Sequence, residues 1–189
     1  MEQVSTTGPP PDLAGLVQLA QRGDRAAFAT LYADFAAVVH GILLARCGAG
    51  EADDLTQELF MRAFEQLPEL REPAAFPGWL CAAARNASID HLRARRRHPR
   101  TSADALPELS DRGATPVEAA TNRDLAAAVL ACVRKLPEAY RETLVLRLVE
   151  GLSGPQIADR TGLTHGSVRV NLTRGMALLR PILAEAGLP

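Results

Sequence analysis

Apolar residues recur along most of the chain at the three- and four-residue spacing that lays them along one side of an α-helix. Leu13, Leu16, Val17 and Ala20 make a short stripe. Phe28, Leu31, Tyr32, Phe35, Val38, Val39 and Ile42 make a longer one that stops at Cys47-Gly48. A third, Leu55, Leu59, Phe60, Ala63, Phe64 and Leu67, is closed by Pro68. A fourth begins after Pro73 or Pro77 and carries Trp79, Leu80, Ala83, Ala84, Ile89 and Leu92. From His98 to Pro116 the period is lost and Pro, Ser, Asp and Gly collect, as in a linker. Helical spacing resumes over 117–136 and again from Pro137 to Gly187, and no segment alternates between turns as a hairpin would. The pattern predicts an all-α chain of two small helical domains, 12–98 and 117–187, joined by a flexible linker at 99–116 and preceded by a disordered tail at 1–11.

Within the last segment, local signals become specific. Ser153 is placed to cap a short helix, with Gln156 three residues on to complete a capping box and Pro155 in the first turn, where a missing N–H is no loss. Ile157 and Ala158 face inward, Gly162 permits the positive φ that ends the helix, and Leu163 fills the corner. Thr164 and Ser167 then restart the chain as a capped second helix, with Ser167, Arg169, Asn171, Thr173 and Arg174 on its polar side. An ordinary αα-hairpin with a solvated face is the simpler reading. The coincidence of cap, corner and donor-rich second helix favours a DNA-reading helix-turn-helix.

Charge narrows the picture further. The 189 residues carry a formal net charge of only −1, so a nucleic-acid surface must be local and balanced elsewhere. Glu51, Asp53, Asp54, Glu58, Glu65, Glu69 and Glu72 crowd one segment, and Arg93, Arg95, Arg96, Arg97 and Arg100 follow soon after. Cys47, Cys81 and Cys132 stand far apart, which fits small buried residues better than a metal site or a disulfide framework. The polar, proline-rich start resembles neither a signal peptide nor an anchor, and no apolar run is expected to span a bilayer, so a cytoplasmic protein is expected. His40, His91, His98 and His165 fall on different elements with no fixed partner, and no catalytic constellation, cofactor motif or metal set emerges.

The order of these parts resembles the extracytoplasmic-function (group 4) sigma factors of the sigma-70 family, the two-domain subunits that give bacterial RNA polymerase its promoter specificity. The resemblance covers nearly the whole chain. It rests on Asp53-Asp54-Leu55-Thr56-Gln57-Glu58-Leu59-Phe60-Met61-Arg62-Ala63-Phe64, on Phe76-Pro77-Gly78-Trp79-Leu80, and on Ala84-Arg85-Asn86-Ala87-Ser88-Ile89-Asp90-His91-Leu92-Arg93 with its basic run. In the second domain it rests on Leu136-Pro137-Glu138-Ala139-Tyr140-Arg141-Glu142-Thr143-Leu144, Glu150-Gly151-Leu152-Ser153 and the helix-turn-helix.

The resemblance implies a non-enzymatic subunit without cofactor or metal. Its expected partners are core RNA polymerase, through the clamp coiled coil of the largest subunit and the flap, promoter DNA, and a cognate anti-sigma protein; membrane insertion is not expected. Asp53, Asp54, Gln57, Glu58 and Met61 would form the polymerase-docking face. Arg85, Asn86, Ala87 and Ser88 would form a loop that receives a flipped −10 base, with Asn86 as its polar reader. Asp90, His91 and Arg93 would line the upstream edge, and Arg95, Arg96 and Arg97 would meet phosphates. Trp79 reads as a core anchor, since Phe76 and Leu80 share its helical face. For the −35 element the matching residues are Arg141, Thr164, His165, Ser167, Arg169, Val170, Asn171, Thr173 and Arg174. Two departures stand out: Gln156 after Gly154-Pro155, where relatives usually carry a glutamate, and Val170, where they usually carry a small polar residue. A stand-alone helix-turn-helix regulator is the alternative, but it leaves the acidic helix and the Arg85-Asn86 segment unexplained.

Overall fold

The computed structural model describes residues 12–97 and 116–188, with side chains from Leu125 onward in the second stretch. Among these residues every regular element is a helix. Four helices come first: α1 (Leu13–Gln21), α2 (Arg25–Leu44), α3 (Ala49–Gln66) and α4 (Phe76–Arg97). Four follow: α5 (Pro116–Arg134), α6 (Glu138–Leu148), α7 (Gly154–Thr161) and α8 (His165–Glu185). The tail at 1–11, His98 and the linker expected at 99–116 lie outside the described residues, save Pro116, which opens α5.

Local chemistry sets the helix starts. Asp24 caps α2 by accepting from the N–H groups of Ala26 (2.9 Å) and Ala27 (3.1 Å), and Glu51 reaches back to the Gly48 N–H (2.8 Å) at the start of α3. Around α2 the apolar stripes close. Leu31, Val38, Val39, Ile42 and Leu80 are fully buried, and Phe35 packs edge-on against Phe76 with ring centroids 5.2 Å apart. Trp79 leans on Phe76 at 5.9 Å from a half-buried position, in keeping with a core anchor.

Three features depart from the sequence reading. First, the 20 residues of α2 are long and apolar enough to cross a membrane by length and composition, contrary to the expectation that no run would be. Half of that stretch is buried inside the fold, because α2 is the helix around which α1, α3 and α4 assemble. Second, the expected loop at Arg85, Asn86, Ala87 and Ser88 is continuous α4 helix. No glycine or proline occurs between Trp79 and Arg97, and Ala84 and Ser88, one turn apart, are both fully buried. Third, the two groups of helices pack directly on each other, α6 and α7 lying against α2 and α4. Gly41 makes this approach possible: a Cβ there would meet Leu146 Cδ2 at 2.6 Å and Glu150 Cγ at 3.0 Å.

Candidate nucleic-acid and protein interfaces

The helix-turn-helix forms from the residues that announced it. Ser153 Oγ accepts from the Gln156 N–H (3.4 Å), and Gln156 Oε1 accepts from the Ser153 N–H (2.9 Å). Gly162 ends α7 in the left-handed region, at φ 74° and ψ 10°. Thr164 Oγ1 then accepts from the Ser167 N–H (3.1 Å) and starts α8. Ile157 and Val168 are buried beneath the turn. Gly175 lets α8 lie close on α6, where a Cβ would sit 3.0 Å from Leu144 Cδ1. Helix α8 is thereby held along one face, by Val168, Asn171 and Gly175, and the opposite face of its first half is exposed.

That first half exposes His165, Ser167, Arg169, Val170, Thr173 and Arg174 together with Thr164 at the cap. Donors and one apolar side chain share a face narrow enough for a major groove. His165 Nε2 lies 3.5 Å from Asp159 Oδ1, across the turn. Two of the residues expected here are not part of this face. Asn171 is half-buried and donates from Nδ2 to Thr143 Oγ1 at 3.4 Å, because it lies three residues after Val168 and four before Gly175 on the inward stripe. Arg141 points to the other group of helices, donating from Nη1 to the Ala45 carbonyl at 3.4 Å, and burial lowers its pKa.

On α3, Asp53, Asp54, Gln57, Glu58 and Met61 are all exposed, opposite buried Leu55, Leu59 and Phe60. Glu58 pairs with Arg62 one turn on (2.8 Å), a surface contact that leaves the face acidic. Met61 is 69% exposed and Phe64 39%, which adds an apolar margin to the charge.

The face expected to meet the −10 strand is split. Asn86, Asp90, Arg93, Arg96 and Arg97 are exposed along α4, with Arg93 Nη1 3.6 Å from Asp90 Oδ1. Ser88 is not available: it is fully buried, and its hydroxyl donates to the Arg85 carbonyl at 2.6 Å. Ala87 is half-buried against the core. His91 and Arg95 both turn to Glu51, at 3.2 and 2.9 Å. Burial pushes the Glu51 carboxyl up, but the Gly48 N–H, His91 and Arg95 outweigh it and leave the group below its usual range.

Arg85 has a partner that the sequence did not suggest. Its Nε and Nη2 donate to the two carboxylate oxygens of Glu142 on α6, at 3.1 and 2.7 Å. Glu142 also accepts from Arg46 Nη1 (3.2 Å), and Arg46 pairs with Glu138 as well. The hydrogen bond to Glu142 is the main reason the Arg85 guanidinium is held above its ordinary pKa. Nearby, His40 on α2 bridges the same two groups of helices, with Nδ1 2.6 Å from Glu150 Oε1 and Nε2 3.3 Å from Asp53 Oδ1. His40, read as lacking a fixed partner, therefore has a hydrogen-bonded one in Glu150, with the Asp53 carboxylate near its other nitrogen. Further contacts run from Arg134 to the Cys47 carbonyl and from the Cys81 thiol to the Arg160 carbonyl (3.4 Å). All three cysteines are free and buried, and burial pushes the thiols of Cys47 and Cys81 up to about 11 and about 12. Among the described residues no cluster of His, Cys, Asp and Glu could hold a metal ion.

Comparison with known proteins gives two matched segments. Residues 31–98 match the model for sigma-70 region 2, and residues 126–179 match that for sigma-70 region 4. The RNA polymerase sigma-H factor of Pseudomonas aeruginosa is 34% identical over 90% of this chain and 95% of its own length. The ECF RNA polymerase sigma factor SigE of Mycolicibacterium smegmatis is 35% identical over 71% of this chain and 52% of its own. Among its curated relatives, the share of the relative's own length that the chain spans runs from 34% to 95%. In fold the chain resembles the sigma factor RpoE of Bartonella quintana, solved with the anti-sigma factor NepR, at a TM-score of 0.53 and 17% identity. That match covers 82% of this chain and 95% of the other.

Proposed function

Because the chain belongs to the sigma-70 family, as an extracytoplasmic-function sigma factor, we propose that it docks on core polymerase through the outer face of α3 and reads a promoter at two places. The exposed acids Asp53, Asp54 and Glu58 steer basic partner surfaces to a stiff helix, and Met61 supplies a desolvated contact beside them. Arg169, Val170, Thr173 and Arg174 on the exposed face of α8 read the −35 element, with Ser167 and the Thr164 cap toward phosphate. Val170 offers no hydrogen bond and favours a thymine methyl. On α4, Asn86 and Arg85 meet the −10 strand, and Arg93, Arg96 and Arg97 neutralise phosphates.

The observation that carries this reading is the division of α8 into two faces: Val168, Asn171 and Gly175 pack inward, Gly175 against Leu144 on α6, and the opposite face leaves capped, donor-rich first turns bare. The protein would work in the cytoplasm, where core polymerase is. A separate anti-sigma protein is the expected control, in line with the complex in which the fold relative was solved. The test is to mix the chain with core polymerase and measure comigration on gel filtration and binding to promoter duplex. A complex that binds promoter DNA more tightly than either component supports the proposal. A chain that binds duplex DNA alone and ignores polymerase is a stand-alone regulator and overturns it.

A further inference from the structure

We propose that Glu51, in the first turn of α3, is a positioning residue for −10 recognition: it holds the projecting end of α4 by His91 and Arg95, so that the basic run meets DNA through Arg93, Arg96 and Arg97 while Arg95 makes no phosphate contact. The inference rests on the assignment of α4 to the −10 strand. Arg95 Nη1 donates to both carboxylate oxygens of Glu51, at 2.9 and 3.1 Å, and His91 Nε2 lies 3.2 Å from Oε1. Glu51 Oε2 also accepts from the Gly48 N–H (2.8 Å), which ties the carboxylate to the start of its own helix. His91 and Arg95 stand one turn apart, so a single acid takes both from one side of α4.

The need for such an anchor is local. Ser88 is the last buried residue of α4, and from Ile89 to Arg97 only His91 and Leu92 are half-buried. Leu92 is the one apolar side chain of that stretch packed against the core. A helix end with so little apolar contact takes its direction from the polar contacts beside it. Glu51 supplies them from the helix that carries Asp53, Asp54, Gln57, Glu58 and Met61, so a docked α3 also sets the bearing of the DNA-facing end of α4. The Arg95 and Glu51 side chains are 47% and 26% exposed, and such a pair adds little stability. Its loss therefore shows in the use of DNA before it shows in folding.

The experiment uses holoenzyme assembled from core polymerase and the full chain, with a forked promoter DNA whose −10 strand is unpaired, over a series of salt concentrations. Arg93→Ala, Arg96→Ala and Arg97→Ala should each lower the slope of log affinity against log salt by about one, and Arg95→Ala should leave the slope unchanged. Glu51→Gln keeps an oxygen for the Gly48 N–H and removes the charge. On duplex promoter, Glu51→Gln and Arg95→Ala should each slow opening, read by permanganate footprinting, by about fivefold, and the double variant should be no slower than either. Arg95→Lys, which keeps the cation, should recover most of the rate, and each variant should comigrate with core polymerase as the wild type does. A slope lowered by about one in Arg95→Ala, or losses that multiply in the double variant, overturns the proposal. If none of the arginine variants changes the slope, the −10 assignment has failed and the proposal falls with it.

Discussion

Gly162 offers the most direct energetic test of the helix-turn-helix. Its φ of 74° is a region that L side chains avoid, and an added Cβ would find no atom within 4 Å. The cost of Gly162→Ala is therefore local to the backbone, with no clash against neighbouring side chains: about 1–2 kcal/mol for a Cβ brought close to its own carbonyl oxygen in the left-handed region. Asn tolerates that region better, so Gly162→Asn should recover part of the loss. For a domain of this size, about 1 kcal/mol corresponds to a fall in Tm of about 4–8 °C. Urea unfolding followed by circular dichroism should show the loss as a lower midpoint at unchanged slope, since the surface exposed on unfolding is the same. Binding to a −35 duplex by the holoenzyme should weaken in the same order, glycine best, then asparagine, then alanine. An alanine variant as stable as wild type, or less harmful than asparagine, would refute the reasoning.

Other expectations follow from the same geometry. Asp54→Lys with Glu58→Lys should weaken association with core polymerase in gel filtration while stability moves by no more than about 0.5 kcal/mol, as both residues are exposed; normal binding would remove α3 as the docking face. Arg169→Ala and Arg174→Ala should impair promoters that depend on the −35 element, either lowering the salt slope by about one if a phosphate contact is lost or relaxing one base position at about 1–3 kcal/mol. The interdomain contact should depend on pH. Hydrogen bonding to Glu150 is the chief cause that raises the His40 pKa above 6.5, aided by the charges of Glu150 and Asp53 and opposed by burial. A raised histidine stabilises the packed state most below pH 6.5, and that stabilisation is lost as pH rises through the raised value. Interdomain energy transfer should accordingly fall as pH rises from below 6.5 through the raised value, and His40→Gln should flatten the curve.

What the sequence made legible was local. The Ser153 cap, the Gly162 turn and the Thr164 restart depend on residues within four positions of each other, and all three appear where their chemistry calls for them. The helical stripes were equally plain, since a buried face repeats. The interface between the two groups was not, because Glu142 and Arg85 lie 57 residues apart and no periodicity links them. Two candidate site residues that the fold turns inward did carry a signal. Ser88 follows Leu80 and Ala84 at four-residue steps, and Asn171 sits between Val168 and Gly175 on the inward stripe, so both belonged to the buried side. Family motifs mark a segment as functional; the helical period decides which of its side chains can reach outward.

The central claim, that this chain directs polymerase to promoters, is tested most directly by mapping transcript 5′ ends on fragmented genomic DNA with core polymerase in the presence and absence of the purified protein. The account predicts a set of new start sites that share upstream −35 and −10 sequences and disappear with the Asp54→Lys, Glu58→Lys variant. Start sites identical to those of core polymerase alone would contradict it.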